Sequence, residues 1–339
     1  GIAVRFEDLQ NNVREFKCVE TIFAGNSFSK KINTGECYKI MTGAAVPPTA
    51  DVVIRVEETL AKNGIIEFSG ADFKHHQNIA QQGQDLKRNE LALKEGSFIN
   101  AAIIGMLASF GKAKVFVQKL PLINIITTGN EISELNDEIL PTHIYNSNKY
   151  VLKSLLKQNG IPVQNCVHIP DDLETLKSTA KNYLATDILI LTGGVSAGEA
   201  DFIPETLNSL GVKELFHKVA IKPGKPIWCG TLGQTMVFAL PGNPFSCLVT
   251  FKLFVEFYIK TCLGLNVSEM DEIPINFDRI KKSNLDEFFP VNFKNGLLNK
   301  IDINGSGDVR LGFASNALAM QQAPMKEIKR GIPISYLPL

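Results

Sequence analysis

Between residues 121 and 265, apolar runs of strand length alternate with amphipathic stretches of helix length. "PLINIITTG" (121–129) is a short apolar run that stops at Gly129. "NSNKYVLKSLLKQNG" (146–160) opens on capping residues, repeats apolar positions at 151, 152, 155 and 156, and stops at Gly160, which predicts a helix. "IPVQNCVHI" predicts a second strand, and "DDLETLKSTAKNYLA" (171–185) a helix with an acidic start. "DILILTGG", a helix near 202–210, apolar runs at 226–230 and 235–240 and a long last helix complete the pattern. Strands separated by helices imply a mostly parallel sheet covered on both faces. Ligands of such sheets sit beyond the carboxyl ends of the strands, and three strands here end in glycine-bearing turns.

The flanking regions have a different rhythm. "TGECYKIMTGAAVPPTADVVIRVEE" alternates and is punctuated by Gly and Pro, so the first region is β-rich. "EGSFINAAIIGMLASFGKAKVFV" (95–117) predicts a helix up to Gly111 with a strand after it. From about 266 onward, short strand-like runs and Asn/Gly turns predict a small β domain. The expected organisation is a β-rich N-terminal domain (1–83), a helical linker region (84–120), an α/β domain (121–265) and a C-terminal β domain (266–339).

Composition narrows the function classes. With 35 Lys+Arg against 35 Asp+Glu, no bulk basic charge argues for nucleic acid or an anionic membrane surface. Six cysteines without C-x-x-C spacing suit a reducing compartment, and the first residues lack signal-peptide form, so a cytoplasmic protein is expected. The most apolar stretch, "FSCLVTFKLFVEFYI" (245–259), carries Lys252 and Glu256 and reads as a buried helix.

The turns carry the candidate chemistry. In "FALPGNPFSCLVTFKLFV" (238–255), Gly242 permits a tight turn, Asn243 can cap and Pro244 suits the first helical position. That arrangement aims a helix N-terminus above the sheet, although any well-capped helix needs the same residues. Gly193-Gly194 is open to the same two readings. In "IKPGKPIWCG", Lys222 and Lys225 flank a stiff Pro-Gly turn, which suits a phosphate or oxyanion. Glu131, Asp171 and Asp201 follow strand ends, with helix capping as the competing role for Asp171-Asp172. Carboxylates at neighbouring strand ends beside lysines describe a site for Mg²⁺ with a phosphorylated ligand. Ser196 is not in a G-x-S-x-G elbow, so a ligand-binding hydroxyl is favoured over a nucleophile.

Taken in order, "KIMTGAAVPPTADVVIRVEE", "NIAQQGQDL", "INIITTGNEI", "IYNSNKYVLKSLLKQNG", "LTGGVSAGEADF", "VAIKPGKPIWCG" and "FALPGNPFSCLVTF" resemble the molybdopterin molybdenumtransferases, relatives of the gephyrin E domain. The resemblance spans nearly the whole chain, more loosely in the tail through "NGSGDVRLGFASNALA". It implies an adenylyltransferase-like molybdopterin-binding fold for the central α/β domain. It further implies a transferase that inserts molybdenum from molybdate into adenylylated molybdopterin, releases AMP and uses Mg²⁺. A homodimer and a molybdopterin adenylyltransferase as supplying partner are implied too.

Residue by residue, the resemblance puts Asp85, Glu131, Thr42, Lys222, Lys225 and Ser306 on family site positions and Asp201 at the metal and phosphate end. With the strand-end pattern this makes Asp85, Glu131, Asp201, Lys222 and Lys225 the catalytic candidates and Glu131, Asp171 and Asp201 the metal candidates. The ligand-binding candidates are Thr42, Asn146, Asn148, Gly193, Gly194, Ser196, Gly242, Asn243, Ser246 and Ser306. Three departures stand out: Gln81 for an arginine, Asn130 for an aspartate and Pro290 for an arginine, with Lys281 or Lys282 as substitute cations. A molybdopterin adenylyltransferase and a non-catalytic molybdopterin-binding scaffold are the alternatives, against which stand the flanking β regions and the retained acids and lysines. The start "GIAVR" matches the interior of a family segment, which implies a natural chain that continues upstream with an aspartate before Gly1.

Overall fold

The structure, a computed structural model, describes residues 1–339 apart from 71, 195–201, 266, 268–269 and 303–313. The chain divides into two compact units, Gly1–Ser97 and Phe98–Leu339.

The first unit is built on β1 (Ile2–Val4), α1 (Phe6–Gln10), β2 (Glu15–Ile22), β3 (Glu36–Ile40), β4 (Val52–Ile54), β5 (Thr59–Lys62) and β6 (Ile65–Phe68). The six strands form one sheet in the order β4-β1-β3-β2-β6-β5. Phe16, Cys37, Val52 and Ile54 are fully buried in one cluster, while Tyr38, next to Cys37 along β3, is buried in a second cluster on the other face of the sheet. Thr42, just past β3, and Asp85, on the irregular segment after β6, are both exposed.

The second unit opens with α2 (Ala101–Ser109), capped by Asn100, whose side chain accepts from the Ile103 N–H at 3.0 Å. The strand expected after Gly111 does not form, and Val115, Phe116 and Val117 are exposed. β-Branched and aromatic residues make a strand only where a partner edge receives them, and none does so here among the described residues.

The α/β region then follows the sequence closely. Its strands are β7 (Ile123–Thr128), β8 (Ile132–Ser133), β9 (Ile144–Tyr145), β10 (Val163–Ile169), β11 (Ile188–Thr192), β12 (Lys213–His217), β13 (Ile221–Lys222), β14 (Trp228–Leu232) and β15 (Thr235–Leu240). Its helices are α3 (Ser147–Gln158), α4 (Leu173–Tyr183), α5 (Ile203–Ser209), α6 (Pro244–Thr250) and α7 (Glu256–Cys262). The main sheet runs β10-β7-β11-β15-β14-β12, parallel through β15 and antiparallel beyond it. The change of direction has a local cause. Only Gly233 and Gln234 separate β14 from β15, and so short a link joins antiparallel strands alone. Side chains of β11 alternate: Ile188 and Ile190 pack with α3, α6 and α7, while Leu189 and Leu191 pack with α4 and α5.

Between α6 and α7 the helix widens into a π turn at Phe251–Val255. Lys252 and Glu256 form a 2.6 Å ion pair with both side chains 9% exposed, and Asn159 Nδ2 donates to Glu256 at 3.0 Å. Burial opposes ionisation of Glu256, yet these bonds hold its carboxyl below the ordinary value. No described helix is long and apolar enough to cross a membrane.

The tail supplies β16 (Asp271–Pro274), β17 (Arg279–Ile280), β18 (Asp286–Lys294), β19 (Leu297–Lys300), β20 (Ala317–Gln321), β21 (Glu327–Ile328) and β22 (Pro333–Pro338). Its sheet runs β13-β18-β20-β22-β16, with β19 on β18, so the lysine-bearing β13 belongs to the tail's sheet. Buried Phe245 and Val249 of α6 pack with Phe288 and Leu318, which joins the α/β region to this sheet.

Inside the tail, Arg279 Nη2 donates to Glu287 at 2.6 Å. Burial works against the Glu287 carboxylate, but Arg279, followed by further partners including Lys222, holds its pKa down to about 2 from 4.5. A depressed carboxylate contributes stability that is present above its unfolded value and lost as pH falls through the folded one. The urea midpoint advantage of the wild type over Glu287→Gln is therefore expected to be full above pH 4.5 and to shrink between 4.5 and about 2. An advantage that grows on acidification would contradict this account.

Candidate active site

Above the carboxyl ends of β7, β11 and β15 lies a cavity of about 390 Å³. Thr128 and Thr192 end the first two strands, and the turn Pro241-Gly242 follows the third. Nine predicted site residues line the cavity: Glu131, Asn146, Asn148, Asp171, Gly193, Gly194, Gly242, Asn243 and Ser246. Ser196, Asp201 and Ser306 lie outside the described residues. Thr42 and Asp85 belong to the first unit.

The Gly-Gly turn is fixed by packing as well as by any ligand. Gly193 has φ +107°, and a Cβ there would lie 2.4 Å from the Thr128 carbonyl oxygen and 2.5 Å from its Oγ1. No other residue fits against β7 at that point. Asn148 Nδ2 donates to Thr192 Oγ1 (3.1 Å) and to the Gly242 carbonyl (2.7 Å), which ties α3 to two of the strand ends. Thr128 Oγ1 and Asn148 Oδ1 are buried without a partner among the described residues.

The helix starts are less open than the sequence suggests. Asn243 Oδ1 accepts from the N–H groups of Phe245 (3.2 Å) and Ser246 (3.4 Å), so the cap itself takes up two donors expected to face a ligand. Asp171 and Asp172 divide the roles proposed for them. Asp172 caps α4 through the Thr175 N–H at 2.7 Å, whereas Asp171 lines the cavity. Asn130 and Asp171 are bonded reciprocally: the Asn130 N–H donates to Asp171 Oδ2 (3.3 Å), and the Asp171 N–H donates to Asn130 Oδ1 (3.0 Å). The residue that replaces a family carboxylate thus clasps the β7 and β10 turns together.

Glu131 is exposed at the rim, and its backbone carbonyl accepts from the Ile144 N–H at 2.8 Å. Glu131 and Asp171 give the cavity two hard oxygen donors of the kind Mg²⁺ takes. Among the described residues no group of three His, Cys, Asp or Glu side chains is placed to hold a metal.

The lysine loop behaves differently from the simplest expectation. Neither Lys222 nor Lys225 lines the cavity, although Pro226 does. Lys222 Nζ lies 3.3 Å from Glu287 of the tail. The turn is rigid all the same, because a Cβ on Gly224 would meet Thr250 of α6 at 2.6 Å. Lys281 is not a spare cation in place of the missing arginine. It is buried, and its ammonium donates to the carbonyls of Leu285, Gln321 and Gln322. Pro290 is buried in β18, opposite Leu318.

Sequence reasoning missed Thr128 and Thr192, though a Thr-Gly pair closing each strand was a legible signal. It also missed a polar chain beside the cavity. Asn146 Nδ2 donates to Thr127 Oγ1 (2.9 Å) and Glu134 (3.2 Å), and Lys149 pairs with Glu134 at 2.8 Å. Partial burial pushes the Glu134 carboxyl up, but the Lys149 bond and its other partners leave it below the ordinary value.

Two known families match this arrangement: residues 1–111 match the "MoeA N-terminal region (domain I and II)" and residues 124–261 the "Probable molybdopterin binding domain". A molybdopterin molybdenumtransferase of Staphylococcus epidermidis is 36% identical over 269 residues, and one of Staphylococcus aureus 34% over the same length. Each alignment covers 78% of this chain and 64% of the relative, so the chain spans less than two thirds of their length. A solved molybdopterin biosynthesis MoeA protein from Pyrococcus horikosii superimposes with a TM-score of 0.81 at 27% identity, over 100% of this chain and 85% of that one. A second, from Pyrococcus horikoshii OT3, gives 0.74 at 27% identity over 100% and 86%. The two matched regions account for most of the sequence, in the same order as the two units, and the chain belongs to the molybdopterin molybdenumtransferase (MoeA) family.

Proposed function

We propose that the chain inserts molybdenum from molybdate into adenylylated molybdopterin, with cleavage of the phosphoanhydride and release of AMP. The observation that carries the reading is the cavity over three adjacent strand ends, in which Glu131 and Asp171 face a glycine turn that a larger residue would close. A bound Mg²⁺ would offset charge on the diphosphate oxygens, with Glu131 and Asp171 as its holders and Asp201, outside the described residues, as the third carboxylate. Gly193, Gly194 and Gly242 let a ligand approach the backbone. Asn146 and Asn148 are held rigid by their own bonds and define the wall. Lys222 and Lys225 are both exposed on the rigid loop, beyond the cavity wall that Pro226 forms, and supply positive charge for a phosphate end that extends past that wall. The working assembly on this reading is a homodimer in the cytoplasm, supplied by a molybdopterin adenylyltransferase.

The test is one incubation with adenylylated molybdopterin, molybdate and Mg²⁺. AMP release accompanied by active cofactor is the expected result. Consumption of ATP with molybdopterin, and no AMP from the adenylylated compound, would assign the chain to the adenylyltransferases instead. Lys225→Ala is expected to weaken the adenylylated ligand by about 1.5–3 kcal/mol through loss of a charge-assisted phosphate contact, read by titration calorimetry.

A further inference from the structure

We propose that Glu287 is the positioning residue of Lys222, and that through it the C-terminal sheet sets the ammonium that meets the ligand's phosphate. This inference rests on the reading of the site above. β13 is only two residues long, and it pairs in parallel with β18 so that Lys222 stands opposite Glu287. The Nζ to Oε1 distance is 3.3 Å, across 65 positions of sequence. The lysine and its partner are therefore brought together by strand register and not by local sequence.

The rest of the cluster shows that the pair is not needed to neutralise Glu287. Arg279 already meets the same carboxylate at 2.6 Å. Its other arm donates to Gln321, and its guanidinium lies 4.0 Å over the Phe289 ring. Arg279 is thus braced on three sides without help from Lys222. The Lys222 side chain is 63% exposed and that of Glu287 only 8%, so the glutamate is a fixed post and the lysine the mobile partner. An ion pair this exposed on one side adds little to stability. What it does is restrict a long side chain with many rotamers to one place while leaving donors of the ammonium free. The backbone beneath is fixed too, since Gly224 is pressed on Thr250 and Pro226 reaches the cavity wall.

The sign of the effect separates positioning from simple electrostatics. Removal of a negative charge beside an anion site should tighten anion binding if Glu287 acts only through its field. If it positions Lys222, its loss should weaken binding. A double-mutant cycle on the full chain measures KM for adenylylated molybdopterin in wild type, Glu287→Gln, Lys222→Ala and the double variant. Glu287→Gln is expected to raise KM about fivefold with kcat little changed, and to have no further effect when Lys222 is already alanine. Glu287→Asp, which keeps the charge but shortens the reach, is expected to fall between. Without any ligand, acetic anhydride labelling at Lys222, followed by mass spectrometry, should accelerate in Glu287→Gln while labelling at Lys225 does not change.

An equal rise in KM with and without Lys222 would make Glu287 a purely structural residue and overturn the proposal, as would an unchanged or lower KM or an unchanged Lys222 labelling rate. Those results leave the functional reading standing. Wild-type protein that releases no AMP would remove the reading, and this proposal with it.

Discussion

Glu131→Ala is expected to lower the rate of AMP release by about a hundredfold, the scale on which one positioned electrostatic group acts. Glu131 sits at the rim of the cavity beside Asp171, at the ends of neighbouring strands, and its backbone and not its carboxylate carries the bond to Ile144. Removal of the side chain should therefore leave the fold intact, with an unchanged thermal midpoint. Glu131→Gln separates charge from shape, because the amide keeps an oxygen but loses the negative charge that Mg²⁺ needs. On the proposed reading it should be almost as slow as the alanine variant. Near-normal turnover of both variants at saturating Mg²⁺ would sink the assignment of Glu131 to the metal.

Gly193→Ala should act on stability first. A methyl group at 2.4 Å from a carbonyl oxygen has no side chain to displace, since the obstacle is the backbone of β7. The φ of +107° adds strain of its own for any residue with a Cβ. Together these should destabilise the second unit by about 3 kcal/mol. Denaturant unfolding followed by tryptophan fluorescence is a direct check, because Trp228, the sole tryptophan, is fully buried in the main sheet. Gly194→Ala is the control. Its Cβ would meet no backbone among its nearest neighbours, only side-chain atoms of Ile203 at 3.3 Å and Thr128 Oγ1 at 3.5 Å, in a left-handed conformation at φ +54°. It should lose clearly less stability, and equal losses for the two would contradict the account of the turn.

The α/β region was legible because its signals are local. Asn146 and Asp172 cap α3 and α4, and the apolar periods inside these helices give the faces they bury. The antiparallel edge was hidden in a two-residue link whose meaning depends on how β14 and β15 pair. The strand expected after Gly111 failed for the converse reason, as composition cannot supply a partner. Within the site, the residue types that carry chemistry could be picked out, but not their engagements. Lys222 with Glu287, Asn130 with Asp171, and Asn146 with Glu134 are bonds between side chains and turns brought together by the fold. Lys281 shows the limit most clearly, since a lysine read as a candidate anion binder proves to be an internal brace for three carbonyls.

The π turn at Phe251–Val255 places one extra residue in a rod whose two ends do separate jobs. At one end Asn243 closes the turn over the cavity, and at the other Val255 and Ile259 key the rod into the core. An α-helix advances about 100° per residue, and the widened turn takes up its extra residue without shifting the angular phase between these ends. Deletion of a single residue there would close the turn to α geometry with the two ends still in phase, whereas deletion of a residue elsewhere in the rod would rotate one end by about that angle relative to the other. The rod is therefore timed like a camshaft: its length can be read as helix, but its setting is kept because the irregular turn absorbs one residue.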